Sequence, residues 1–166
     1  MQLIILCEST SKCQSDYLYL SRILNGVYGI DHFKISPIFL NGVGNFDKKG
    51  KEVEKKIKSY SVYNNDGSYV IVCIDLDDDT PENKKRNEKI EAYCKKHRYY
   101  LVWFNRTIEE VVYKEKASNS EKKQKAEQFA RENIIDKDLI GRLKKNNRNS
   151  RCSSNFLVVI DQIDKR

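Results

Sequence analysis

Carboxylate side chains follow two strongly apolar runs of the chain. Glu8 comes directly after the apolar residues 3–7, and Asp75 and Asp77 close a second apolar run that begins at Val70. Carboxylate oxygens are the ligands that Mg²⁺ and Mn²⁺ prefer in proteins. We therefore predict that Glu8, Asp75 and Asp77 hold one such ion, with water or a substrate phosphate in the remaining positions. The alternative for Asp75 and Asp77 is a solvated acidic loop.

The acidic run continues beyond Asp77, and a further acid follows later in the chain. Asp78 and Asp79 bring the number of aspartates in residues 75–79 to four, and such close neighbours repel each other unless a cation is present. Asp78 and Asp79 have a second interpretation, because acids also favour the first turn of a helix. Glu109 is predicted to hold a second metal ion or to position water, unless it is only a first-turn helix acid.

The apolar runs must be strands if they are to bring these acids together. A continuous run such as residues 70–74 is typical of a strand that is buried on both faces, as in parallel sheets. Amphipathic segments alternate with the runs, and this alternation predicts crossover helices and a parallel sheet. Ligands bind at the carboxyl ends of the strands in such folds, which is where the acids fall.

We predict one α/β domain over residues 1–166, with a central parallel sheet of about four strands flanked by helices. The strands are expected near residues 3–7, 33–40, 69–75 and 99–104. The core covers about residues 1–113, and a helical, basic appendage covers about residues 114–166. Residues 25–26, Asn-Gly, predict the end of the first helix. Residues 156–163 are rich in β-branched side chains, but the Ser-Ser-Asn sequence before them favours a helix, which we predict.

Positive charge is concentrated in the C-terminal part of the chain. The formal net charge is +7, and residues 114–151 carry twelve basic and six acidic side chains. Such a basic segment predicts contact with a polyanion such as nucleic acid, and the alternative is a solvated surface. The residues that we expect to contact nucleic acid are Arg142, Lys144, Lys145, Arg148 and Arg151.

The composition does not indicate a membrane protein. No stretch approaches the ~20 consecutive apolar residues that a membrane span needs. No basic region precedes a long apolar segment at the N-terminus, as it would in a secretion signal. The five cysteines are odd in number and widely spaced, which favours small buried side chains in a reducing compartment. We therefore expect a cytoplasmic location and no membrane partner.

Taken together, the motifs resemble a known family. A strand that ends in glutamate, a helix and a later strand that ends in Asp-x-Asp resemble the Toprim fold of topoisomerases, primases and OLD-type nucleases. The similarity is closest to the RloB-like proteins, which are associated with restriction and phage-defence loci. The matching segments are Glu8-Ser9-Thr10 with Asp16-Tyr17-Leu18-Tyr19, Asn41-Gly42-Val43-Gly44, Asp75-Leu76-Asp77, Asn105-Arg106-Thr107-Ile108-Glu109 and Ser153-Ser154-Asn155. Ser9 stands where that group usually has glycine, and Arg106 stands where it usually has proline.

The resemblance implies a function and a set of catalytic residues. It implies a nuclease that hydrolyses phosphodiester bonds in DNA or RNA with Mg²⁺ or Mn²⁺, in phage defence or restriction-linked abortive infection. Its catalytic residues would be Glu8, Asp75, Asp77 and Glu109. Two other functions stay open. One is a non-catalytic nucleic-acid-binding or sensor subunit that works with a partner protein of a defence system, and the other is a DxD-type phosphoryl or glycosyl transferase for small molecules.

Overall fold

A computed structural model describes residues 1–118, 120–132 and 134–165, which fold around one five-stranded sheet. In chain order the strands are β1 (Gln2–Cys7), β2 (Lys34–Phe39), β3 (Ser68–Asp75), β4 (Tyr100–Asn105) and β5 (Ser153–Ser154). They lie in the order β2-β1-β3-β4-β5; β1 to β4 are parallel, and β5 runs antiparallel to β4. Positions 119, 133 and 166 of the predicted domain lie outside the described residues.

Helices connect the strands and cover the sheet. They are α1 (Ser15–Tyr28), α2 (Gly50–Ser61), α3 (Pro81–His97), α4 (Ile108–Tyr113), α5 (Lys122–Arg131), α6 (Lys137–Leu143) and α7 (Phe156–Asp164), and a 3₁₀ helix spans Val43–Lys49. The predicted α/β class is confirmed, and so is the helix near the C-terminus. The four expected strands are parallel, and the antiparallel edge strand β5 was not predicted, because its two residues are too few to show an alternating pattern. Within the described part of the chain, no helix combines the length and apolar character that crossing a bilayer requires.

Helix α1 continues beyond the end that its sequence predicts. Gly26 lies inside the helix, and a Cβ at this position would overlap the side chain of Ile135. This glycine therefore permits close packing of the chain against α1. The helix ends at Gly29, whose φ of +99° is a backbone conformation that other residues rarely adopt.

Both faces of the sheet are covered, as the continuous apolar runs predict. All six residues of β1 are buried. On one face Leu3, Ile5 and Cys7 pack in a core that also includes side chains of α1 and of α4 to α7. On the other face Ile4 and Leu6 pack with side chains of α2 and α3. A central strand that is covered in this way delivers its last residues to a fixed place at the sheet edge.

The C-terminal third completes one of these two cores. Phe129 of α5, Leu143 of α6 and Ile160 of α7 are 0% exposed, and they pack in the same cluster as Leu3 of β1. The segment predicted as a helical appendage therefore packs on one face of the sheet and forms part of the core there.

Asn155 forms hydrogen bonds with the backbone of β4 at residues that β5 does not pair with. Strand β5 pairs with Phe104 and Asn105, so the earlier residues of β4 need other partners. Asn155 Oδ1 accepts a hydrogen bond from the Trp103 N–H at 2.9 Å, and Asn155 Nδ2 donates one to the Leu101 carbonyl at 3.0 Å. Because Asn155 is only 7% exposed, these bonds are shielded from water.

Replacing Asn155 with alanine should lower the free energy of unfolding by about 2–4 kcal/mol, because buried backbone groups of β4 lose their partners. Urea denaturation measures this change. Asn149→Ala, at an exposed position, is the matched control and should change the free energy by less than about 0.5 kcal/mol. Equal losses in the two variants would contradict the role of Asn155.

Candidate functional site

Glu8 and Asp75 meet at the carboxyl edge of the sheet. Strands β1 and β3 are parallel neighbours, so Glu8, directly after β1, and Asp75, the last residue of β3, emerge at the same edge. Glu8 Oε1 accepts a hydrogen bond from the Asp75 N–H at 2.8 Å. Asp75 Oδ1 accepts one from the Ile108 N–H at 3.1 Å. Each carboxylate is therefore oriented through one oxygen by the backbone of a neighbouring element, which leaves its other oxygen for a further ligand.

Asp16 is a further carboxylate at this place, and sequence reasoning did not single it out as a site residue. It lies in the first turn of α1, where its two oxygens accept hydrogen bonds from the Ser9 N–H at 2.9 Å and the Ser15 hydroxyl at 3.1 Å. Burial is the main cause that raises the pKa of Glu8 and of Asp75, and the charge of Asp16 raises both further. The sequence did contain a signal for Asp16. It lies in the first turn of the helix that follows β1, and the β1–α1 connection leaves the sheet at the same edge as Glu8.

Glu109 is a fully buried acid with a lysine beside it. Its side chain is 0% exposed, and within the described residues neither carboxylate oxygen has a hydrogen bond of good geometry. Lys122 Nζ, from α5, lies 3.7 Å from Glu109 Oε2. Sequence reasoning missed Lys122, because nothing in its local pattern distinguishes it from the other lysines of this segment. Only the packing of α5 against the core places it here.

We call Glu8, Asp16, Asp75 and Glu109 the acidic cluster. Burial raises the pKa of Glu8 from 4.5 to about 7. Burial also raises the pKa of Asp75, with a further contribution from Glu8, and it raises the pKa of Glu109. Burial alone would lower the pKa of the Lys122 ammonium, yet the surrounding carboxylates raise it above its ordinary value. Lys122 therefore stays charged and lowers the pKa of Asp75 and Glu109, but the four carboxylates of the cluster outnumber its single charge. The cluster thus favours retained protons or a further cation near neutral pH.

Asp77 is held by an arginine instead of joining this cluster. Its φ is +57°, its side chain is 41% exposed, and Arg86 Nη1 donates to Asp77 Oδ2 at 2.9 Å. Arg86 Nη2 also donates to the Asp75 carbonyl at 3.1 Å. Of the three predicted metal ligands, the structure thus brings Glu8 and Asp75 into contact and places Asp77 on Arg86.

The other aspartates of the run also have basic partners. Asp78 Oδ1 lies 2.9 Å from Arg106 Nη1, and Asp79 Oδ2 lies 3.1 Å from Lys84 Nζ. Repulsion within residues 75–79 is therefore reduced by cations of the protein itself. The exposed acids of the run thus have basic partners within the protein, and metal binding by Asp77 stays a prediction.

A groove of about 380 Å³ lies beside these ion pairs. We call it the acid-edge groove, and its walls include Asp78, Lys84, Arg106 and Arg148. Arg148 Nη1 lies 3.1 Å from Oε2 of Glu91, another residue of the groove wall. A groove with so many charged side chains suits a charged ligand, with its arginines and lysine as the groups that would bind phosphate.

Arg142, the first of the predicted nucleic-acid contacts, has a structural role. Its Nε donates to the Val111 carbonyl at 2.8 Å and its Nη2 to the Val112 carbonyl at 3.0 Å. It also forms an ion pair with Asp138. Because its donors satisfy carbonyls of α4 that the short helix leaves open, we exclude Arg142 from the predicted nucleic-acid surface.

The other four predicted contacts differ in how free they are. Lys144 Nζ lies 2.9 Å from Asp161 Oδ2, and Arg148 belongs to the acid-edge groove. Lys145 and Arg151 are exposed, and their side chains make no ion pair with the described residues. The basic run is thus divided between structural ion pairs and free surface cations.

The described part of the chain contains no group of three or more His, Cys, Asp or Glu placed to hold a metal ion. Mg²⁺, however, is commonly bound through one or two carboxylates, with water and substrate phosphate as its other ligands, and Glu8 and Asp75 provide such a pair. We found no match for this chain among protein-family models, curated proteins or solved structures.

Glu8→Gln should stabilise the protein above pH 7 in the presence of a chelator. Between pH 4.5 and about 7 the folded state binds more protons than the unfolded state, so the free energy of unfolding falls as pH rises. Over this window the loss attributable to Glu8 is about 3 kcal/mol. Glutamine keeps the acceptor for the Asp75 N–H and removes the charge, so the variant should lose most of this pH dependence.

Denaturation across this pH range measures the effect, with Glu54→Gln, at an exposed position of α2, as the matched control. If Glu8→Gln and wild type follow the same pH dependence, the Glu8 carboxylate does not carry the raised pKa.

Proposed function

We propose that the protein is a Mg²⁺- or Mn²⁺-dependent nuclease that hydrolyses phosphodiester bonds in DNA or RNA. The observation that carries this proposal is the part-buried contact between Glu8 and Asp75 at the carboxyl edge, within a cluster whose four carboxylates outnumber the one lysine beside them, Lys122. Buried carboxylates in excess of cations favour a divalent ion with hard oxygen ligands. A polyanionic substrate phosphate would complete the coordination of that ion.

The residues of the cluster fit such an ion chemically. Glu8 and Asp75 would hold it through the oxygens that are not used by the backbone donors. When bound, the ion would neutralise charge that develops on the phosphate and lower the pKa of an attacking water. Asp16 contributes charge at the cluster, with both of its oxygens held by Ser9 and Ser15.

Glu109 is the residue that we propose to accept a proton from the attacking water. Its raised pKa brings it closer to neutral pH, where a general base works best. Lys122, 3.7 Å away, remains charged and limits the repulsion between Glu109 and the other acids. Glu109 and Lys122 belong to helices that pack on the sheet, so the positions of both side chains depend on the packing of the core.

Nucleic acid would lie along the acid-edge groove. Its cations Lys84, Arg106 and Arg148 are ion-paired with carboxylates, and a phosphate would replace those partners. Lys145 and Arg151 are exposed cations of the following segment that make no ion pair with the described residues, and they would extend the contact. Contacts of this kind bind the backbone with little sequence preference. On the resemblance alone, we propose that this activity serves phage defence or restriction-linked abortive infection.

A second candidate is a non-catalytic nucleic-acid-binding subunit of a defence system. The observation that favours it is the ion pair between Asp77 and Arg86, which removes one predicted ligand from the site. The same ion pair disfavours a DxD transferase, whose two aspartates would have to share one ion.

The nuclease proposal predicts cleavage of labelled DNA or RNA that requires Mn²⁺ or Mg²⁺ and stops when a chelator is added. Asp75→Asn should abolish cleavage, because it removes one of the two metal-binding charges and retains the acceptor for Ile108. Glu109→Gln should reduce the rate by about 10²-fold or more. Asp79→Asn, which changes an exposed acid of the same run, is the matched control and should retain activity.

Cleavage that survives Asp75→Asn would contradict the proposal. Ser9→Gly separates the two candidates, because it restores the glycine that the resembled group usually has at this position. The Ser9 hydroxyl is buried and has no hydrogen-bond partner within the described residues, so its removal breaks no such bond. If wild type and Ser9→Gly both bind nucleic acid and neither cleaves it, the binding-subunit function replaces the nuclease.

A further inference from the structure

A pocket of about 750 Å³ lies at the amino edge of the sheet, opposite the acidic cluster. We call it the amino-edge pocket, and its walls include Gln2, Lys34, Ser36, Lys55, Lys56 and Tyr63. Gln2 and Lys34 begin β1 and β2, which places the pocket at the starts of the parallel strands. Its volume falls in the range of pockets that hold small organic ligands. The pocket has no part in the proposed nuclease reaction.

The charge of the amino-edge pocket favours an anion. Lys34, Lys55 and Lys56 line it and make no ion pair with the described residues. Of its two acidic side chains, Glu52 already lies 3.3 Å from Lys49 Nζ, which leaves Asp31 as the other acid. Three ammonium groups around one cavity attract a ligand that carries several negative charges.

The pocket wall includes two aromatic rings, and two exposed apolar residues adjoin wall residues in the chain. Among the described residues, the large hydrophobic side chains that are strongly exposed are Ile30 at 79%, Val62 at 70% and Tyr63 at 85%. Tyr63 lines the pocket, Val62 precedes it in the chain, and Ile30 precedes the pocket residue Asp31. Tyr60 adds a second aromatic ring to the wall. Flat aromatic ligands stack on side chains of this kind.

The floor of the pocket is a hydrogen-bonded polar chain. Gln2 is 4% exposed; its Nε2 donates to the Ser36 hydroxyl at 2.8 Å, and its Oε1 accepts from the Ser68 hydroxyl at 2.7 Å. Ser36 accepts the bond from Gln2 and so retains its own hydroxyl proton to donate. The floor therefore offers a donor that is fixed in place by buried neighbours.

We propose that the amino-edge pocket binds a nucleotide that carries several phosphates. The three lysines would bind the phosphate oxygens, the Tyr63 ring would stack on the base, and Ser36 would donate to a polar atom of the ligand. This site is distinct from the acidic cluster and goes beyond the nuclease proposal, since neither depends on the other.

Calorimetric titration of the full chain with ATP, in chelator and without divalent metal, tests the proposal. The chelator prevents a metal ion from recruiting phosphates to the acidic cluster. ATP should bind saturably at one site, and tripolyphosphate and adenosine should each bind at least about tenfold more weakly, because each provides only part of the contacts. The proposal would be overturned if no saturable binding is detected at millimolar ATP, or if tripolyphosphate binds as tightly as ATP.

Variants then locate the site. Lys56→Gln and Lys34→Gln should each weaken ATP binding about tenfold, the usual effect of losing a charged hydrogen bond. Tyr63→Ala should weaken ATP binding and leave tripolyphosphate binding unchanged. Lys58→Gln, at an exposed position of α2 outside the pocket, and Glu8→Gln are matched controls that should bind ATP like wild type. ATP binding that is lost equally in the controls, or that Tyr63→Ala leaves intact, would show that this pocket is not a nucleotide site.

Discussion

The hydrogen bond from the Asp75 N–H to Glu8 Oε1 is the contact on which the candidate site depends. It joins the ends of β1 and β3, two parallel neighbours whose side chains are buried on both faces. Because both strands are covered, the two carboxylates emerge partly shielded from water, and this burial raises the pKa of each. The position of the acids and their need for a proton or a cation thus follow from the same packing of the sheet.

The sequence predicted the strand-borne half of the site. Glu8 and Asp75 follow apolar runs, and in a parallel sheet such residues fall at one edge. Asp77 could not be placed in this way, because a left-handed backbone and the guanidinium of Arg86 from the following helix hold its side chain. Lys122 was not predictable either, since only the packing of α5 against the core brings it to Glu109.

The basic residues show the same limit of sequence reasoning. Their concentration predicts a polyanion partner, but composition does not distinguish a free cation from one that completes a helix end or an ion pair. Arg142 serves α4 and Lys144 pairs with Asp161, whereas Lys145 remains at the surface. Lysines that make no ion pair with the described residues also gather at the amino edge, where no sequence motif marked a site. The carboxylate cluster and this group of lysines therefore lie at opposite edges of the sheet.

The most direct test of the central claim is Mn²⁺ binding measured by calorimetry near pH 7 in two buffers that differ in ionisation enthalpy. Since Glu8 has a pKa of about 7, binding of the ion must displace protons from the cluster. We predict saturable binding with proton release in wild type, and weakened binding with less proton release in Glu8→Gln. Absence of binding, or binding without proton release that Glu8→Gln leaves unchanged, would contradict the account.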